Sequence, residues 1–306
     1  MSGMISSGHI KRAAAEAGFD LCGITAAKSF PRNGEAFGRW LEKGYHSSLS
    51  YLERNREKRF DARLLVEGAR AVAVCAVGYK SPLSEGYAPQ WPAKVASYAA
   101  CEDYHTVIKS MLRAMMERLC AIYPDLRGRA FTDSAPLCEK QLAVEAGLGW
   151  IGRQSLLVTP ELGSFVLLGE VVLCDDVDRY DTPFEGSMCG SCRACVDACP
   201  GGAILDGRMI DTSRCISCHT VERQPDRRID LHGWIFGCDE CQSCCPYNRR
   251  APQHRNRRFD PLFDPRTMTA RQWRTLCEEE FTARFGRTPL VRSGRSRIAA
   301  NIAEEE

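Results

Sequence analysis

The chain has 306 residues, of which 44% are apolar and 26% charged, with a formal net charge of +2. These are the proportions of a globular protein of one large or two ordinary domains, and they exclude a uniformly basic nucleic-acid binder; any such contact has to come from a local patch. The 17 cysteines are the outlier, and ten of them crowd into residues 189–245. A secreted disulfide scaffold would be short and preceded by a signal peptide. "MSGMISSGHIKRAAAEAG" has no such apolar core, and no run of about 18 apolar residues suggests a membrane span, so reduced cytoplasmic thiols are expected.

In chain order, Ser6 or Ser7 can cap a helix carrying Ile10, Ala14 and Ala17 on one face, with Gly18 at its end. "FDLCGIT" follows as a short strand, and "ARAVAVCAVGY" (69–79) reads as a strand covered on both faces. Residues 103–122 set Ile108, Met111, Leu112, Met115, Leu119 and Ile122 at helical spacing, a core stripe. "GRAFTDSAP" predicts a strand running into a turn, "PLCEKQLAVEAG" a helix with Pro136 near its start, and "SFVLLGEVVL" (164–173) another buried strand. Residues 1–180 therefore read as one α/β domain. Glycine, proline and cysteine dominate 181–266, which has too little apolar surface for a core of its own and needs metal–sulfur bonds to hold it. Helical patterning returns over 267–306, ending on "EEE".

"CGSCRACVDACP" (189–200) has the two-cluster ferredoxin spacing, C-x2-C-x2-C-x3-C-P. Three sulfurs of that pattern wrap one iron–sulfur cube and the fourth ligates the other. Cys189, Cys192 and Cys195 fit the first role and Cys199 the second. "GCDECQSCCP" adds Cys238, Cys241, Cys244 and Cys245, and "RCISCH" adds Cys215 and Cys218. Cys245 precedes Pro246 as Cys199 precedes Pro200, and that pseudo-symmetry returns Cys245 to the first cluster. Cys199, Cys238 and Cys241 then take the second, with one of Cys215, Cys218 or Cys244. Structural zinc on C-x2-C knuckles is the competing reading, but it gives the paired C-P motifs no purpose.

"GLGWIG" (Gly147, Gly149, Gly152) is a literal G-x-G-x-x-G, yet it follows a helix and leads toward a strand, the reverse of a dinucleotide fingerprint. Asp133 in "TDSAP" ends an apolar strand just before a helix, where a functional carboxylate or a helix N-cap could equally stand.

Taken together, these blocks resemble epoxyqueuosine reductases. The resemblance runs through "YLERNREKRFDARLLVEGARAVAV", "DYHTVIK", "TDSAPLCEKQLAVEAGLGWIG", "GSFVLLGE", "CGSCRACVDACPGGAI", "RCIS", "GCDECQ" and "CCPYN". It implies a fold of the α+β or α/β class, with an N-terminal cobalamin-binding α/β domain (1–180) packed on a ferredoxin-like module with two 4Fe-4S clusters (181–266) and a C-terminal helical tail (267–306). It implies reduction of the epoxide of epoxyqueuosine at the wobble position of tRNA, with electrons passed through the clusters to cobalamin and Asp133 as proton donor, its protonated form favoured by desolvation where a corrin walls it in. The resemblance also places Arg54, Leu157, Leu168, Ser217, Cys238 and Asp239 at the cofactor. It assigns Cys189, Cys192, Cys195 and Cys245 to one cluster and Cys199, Cys215, Cys238 and Cys241 to the other. Cys218, Cys244, Cys101 and Arg153 depart from the family pattern, and the short form without a C-terminal helical-repeat extension is expected. "RRAPQHRNRR" (249–258), with five arginines and no acid, is a candidate contact for tRNA phosphates or else a solvated loop. The expected partners are tRNA and an external low-potential electron donor, for a cytoplasmic monomer away from membranes. An electron-transfer protein would carry the same clusters without needing Asp133 or Arg54. A reductive dehalogenase would be expected to carry a twin-arginine export signal.

Overall fold

The computed structural model describes residues 4–222 and 229–302. The closing "EEE" lies outside the described residues. The N-terminal half is built on a four-stranded sheet of β1 (Leu21–Ala26), β2 (Ala71–Gly78), β3 (Gly128–Phe131) and β4 (Val166–Leu173), in the order β1-β2-β4-β3. Every pairing is antiparallel. Of the two expected classes the structure is therefore α+β, and helices cover both faces of an antiparallel sheet. This is why β2 is buried along its whole length and reads as a continuous apolar run.

Alternation of side chains across the pleat divides the core into two layers. Ala71, Ala73, Cys75 and Val77 face α1 (Ser7–Glu16) and α2 (Tyr104–Ile122), where Ile10, Ile108, Leu112 and Met115 are fully buried. Val72, Val74 and Ala76 face α3 (Glu139–Glu145), packing with Leu142, Ala143, Leu157 and Phe131. The predicted stripe on α2 holds except at Ile122, which is half-exposed in the last turn. The helix expected to open at Pro136 instead opens at Glu139, with Cys138 as its cap residue. Asp133 is thus too far upstream to be the N-cap, and that alternative falls.

The glycine motif turns out to be a packing device. Gly147 takes a left-handed conformation (φ +77°) just past α3, and a Cβ on Gly149 would lie 2.1 Å from the Val158 carbonyl oxygen. Close backbone approach, not phosphate, fixes these residues.

The cysteine-rich segment has only short elements and is tied back to the first half by buried polar contacts. Asn248 Nδ2 donates to Ser164 Oγ (2.9 Å), the Ser164 N–H donates to Asn248 Oδ1 (2.6 Å), and the Ser97 N–H donates to Asp239 Oδ2 (2.7 Å). The tail forms α4 (Ala270–Thr275), α5 (Glu278–Phe285) and α6 (Gly294–Ala300). Trp273, Phe281, Phe285, Leu290 and Ile298 close a further core with Val95, Ile235 and Phe236. No helix among the described residues is long and apolar enough to cross a membrane.

Candidate functional site

The ten crowded cysteines divide spatially. Cys189, Cys192, Cys195 and Cys245 line one hollow of about 220 Å³, together with Trp150, Tyr247 and Arg250. Trp150 Nε1 donates to Cys189 Sγ at 3.3 Å, a contact that favours a thiolate. Cys199, Cys215, Cys238 and Cys241 line a second, larger cavity of about 480 Å³. Burial pushes the Cys215, Cys238 and Cys241 thiols up. Buried sulfurs of this kind ionise readily only when bound iron compensates the charge, so the donor set fits a metal cluster. Among the described residues no trio of His, Cys, Asp or Glu converges tightly enough for a single metal ion; the thiols surround larger volumes. Neither Cys218 nor Cys244 is in either lining.

The larger cavity faces the end of the sheet. Its wall includes Tyr79, Tyr98, Tyr104, Asp133, Glu139, Lys140, Leu167, Leu168, Ser217, Asp239 and Gln242. Of the residues singled out from sequence, Asp133, Leu168, Ser217, Cys238 and Asp239 meet here. Leu157 is buried beneath α3 while its neighbour Leu156 reaches the wall, and Arg54 is exposed outside the lining. Burial lifts the Asp239 carboxyl to about 6.

Asp133 lies two residues beyond β3 with φ +53°, a left-handed conformation that costs a non-glycine residue on the order of 1 kcal/mol and persists only when clamped. The clamps are visible. The Asp133 N–H donates to Glu139 Oε1 at 2.5 Å, Tyr104 Oη donates to Asp133 Oδ2 at 2.6 Å, and His105 Nε2 lies 3.1 Å from the same oxygen. Tyr104 and His105 occupy the first turn of α2, their rings stacked with centroids 4.1 Å apart. Asp103 caps that helix and holds His105 Nδ1 at 2.8 Å. A cation at a helix N-terminus is unfavourable unless carboxylates compensate it, and here two do. Hydrogen bonds to Asp103 first and Asp133 second raise His105 to about 9, against burial.

That geometry sets the charge of Asp133. The bond to His105 outweighs desolvation and, with Tyr104, holds the Asp133 carboxyl below the usual range. The proton therefore sits on the imidazole and Asp133 is the carboxylate. The Asp133 side chain is 46% exposed, so any ligand filling the cavity would strip that hydration and push the proton balance back toward Asp133.

Sequence reasoning passed over Asp103, Tyr104, His105, Glu139, Lys140 and Glu170, which the structure gathers around Asp133. The signal was three polar residues, "DYH", where a buried helix begins, and a lone glutamate in a strand otherwise apolar. Of the five arginines in 249–258, Arg258 forks onto Glu102 (2.5 and 3.1 Å) and Arg257 lies 3.8 Å from Asp260. Arg249, Arg250 and Arg255 are exposed.

Comparison with known proteins was made on this background. A 4Fe-4S double cluster binding domain matches residues 188–248, and an epoxyqueuosine reductase QueG, DUF1730 model matches residues 59–134. An epoxyqueuosine reductase of Cyclobacterium marinum is 38% identical, over 96% of this chain and 94% of its own length. A crystal structure of epoxyqueuosine reductase with an epoxyqueuosine-modified tRNA-Tyr stem loop gives a TM-score of 0.84 at 27% identity, covering 96% of this chain and 79% of that one. The Bacillus subtilis enzyme with its aspartate-bearing catalytic loop swung out of the active site gives the same values.

Proposed function

Since the chain belongs to the epoxyqueuosine reductase family, we propose that its larger cavity is where epoxyqueuosine in a tRNA anticodon is reduced to queuosine. The observation that carries this is the lining itself, with four thiols on one part of a single wall and the Asp133 carboxylate, backed by His105, on another. The net change takes two electrons and two protons and releases the epoxide oxygen as water, so an electron path and a proton source must meet at one place.

Of the two 4Fe-4S clusters, we assign one to Cys189, Cys192, Cys195 and Cys245, and the other to Cys199, Cys215, Cys238 and Cys241. We assign cobalamin to this wall, where apolar Val166, Leu167, Leu168 and Ile216 alternate with polar Ser217, Asp239 and Gln242, a surface suited to a flat macrocycle rimmed with amides. When bound, it would supply a low-valent, strongly nucleophilic metal. The protein's own part is proton supply and orientation. His105 stores a proton at neutral pH, Asp133 delivers it once the cavity is filled, and Tyr104 aims the carboxyl. Asp133 is thus the catalytic acid, on a loop we equate with the mobile one of the Bacillus subtilis relative. Arg54 and Leu157, away from the wall in this state, are assigned to the rim of the cofactor. Arg249 and Arg255, exposed and outside both hollows, are the part of the basic segment assigned to RNA phosphates. An external low-potential donor feeds the clusters, and the enzyme acts as a cytoplasmic monomer.

The test is to load anaerobic protein with cobalamin, supply a strong reductant and epoxyqueuosine-containing tRNA, and digest the RNA for mass spectrometry. Queuosine is expected; none from fully metallated wild type overturns the proposal.

A further inference from the structure

Glu170 is the anomaly of the fold. It lies in the middle of β4 with 0% exposure, directly between Val74 of β2 and Phe131 of β3. By strand alternation it points into the apolar layer under α3, among Leu168, Val172 and Leu142. Neither of its oxygens receives a hydrogen bond from any described donor. An isolated carboxylate in such a layer is costly by several kcal/mol, and proteins avoid it by pairing or neutralising the group.

The group that faces it is another acceptor, the Glu139 carboxyl. Two carboxylates cannot bond one another, but a carboxylate and a carboxylic acid can, with one O–H between them. The other charged or titratable neighbours do not supply that proton. Cys75 on β2 and Cys138 before α3 are themselves pushed toward the neutral thiol. Lys140 Nζ donates to the Ser155 carbonyl at 2.5 Å. Arg59 packs over the Phe37 ring and is influenced by the charge of Glu139, not of Glu170. Asp133 adds only negative charge.

We propose that Glu170 and Glu139 share one proton, and that this pair is the latch of the Asp133 loop. Glu170 donates its O–H to Glu139, and Glu139, an acceptor at the cavity wall, receives the Asp133 N–H that stabilises the left-handed turn. Glu139 and Glu170 are positioning residues that act through Asp133. This rests on the assignment of Asp133 as the acid, and extends it by naming what keeps the acid in place.

Infrared spectroscopy of the anaerobic, cluster-loaded protein is the direct test. At pH 7 a protonated carboxyl C=O band is expected in wild type, shifting in D2O and missing from Glu170→Gln. The second measurement is the histidine NMR titration of His105. Glu139→Leu should release the loop, lowering the His105 midpoint and slowing queuosine formation about tenfold or more. Glu139→Gln, whose amide oxygen still accepts the N–H, should keep both close to wild type. Absence of the band in wild type, or an unchanged His105 midpoint and rate in Glu139→Leu, overturns the latch. The infrared arm needs neither RNA nor turnover. A band without any queuosine therefore refutes the reductase assignment alone, and queuosine without a band refutes the latch alone.

Discussion

If His105 is gripped by two carboxylates, its titration should report both. The ordinary imidazole midpoint of 6.5 is raised to about 9, chiefly by Asp103 and next by Asp133. A shift of that size corresponds to about 3 kcal/mol of preference for the imidazolium. His105 is 27% exposed, but Asp133 is 46% exposed, so solvent screens the second partner and its share is about 1 kcal/mol. The assay is NMR of 13C-labelled histidines, with His105 assigned by its loss in His105→Gln. Wild type should titrate between about pH 8 and 9, Asp103→Asn more than one pH unit lower, and Asp133→Asn about one unit lower. The sign has a consequence for stability. A raised histidine stabilises the fold fully below its unfolded midpoint of about 6.5, and that contribution is lost as pH rises through about 9. A wild-type midpoint at or below 6.5 would refute the proton-store role of His105, because the imidazole would then be neutral at working pH.

Other outcomes follow from the same geometry. Asp133→Asn should lower queuosine formation about 10²–10⁴-fold with the cluster absorption intact, the usual cost of losing a general acid; full activity would remove Asp133 from that role. Cys199→Ser and Cys215→Ser should each lose roughly half of about eight irons per chain by metal analysis, whereas Cys218→Ser and Cys244→Ser should keep them. Arg258→Ala should destabilise the protein by about 1 kcal/mol in denaturant, because a forked pair with Glu102 is lost at a site 37% exposed. Replacing Arg249 and Arg255 together should instead reduce the salt slope of tRNA affinity by about two without changing stability.

Thiol spacing carried the chemistry in the sequence because a cluster needs its ligands on short loops of fixed length, whatever surrounds them. Periodicity likewise marked α1, α2, β2 and β4, whose apolar faces are set by local repeat. Strand direction escaped it, since β2 is as apolar in an antiparallel sheet sheathed on both sides as in a parallel one. The sequence also left Cys215, Cys218 and Cys244 as competing ligands until a resemblance chose among them, and only the folded chain put Cys215 on the cavity wall and left the other two off it. Asp133, 28 residues from His105, and Glu139, 31 from Glu170, meet through sheet pairing and helix packing. Protonation state depends on just such neighbours, so where the protons sit was decided by the tertiary structure alone.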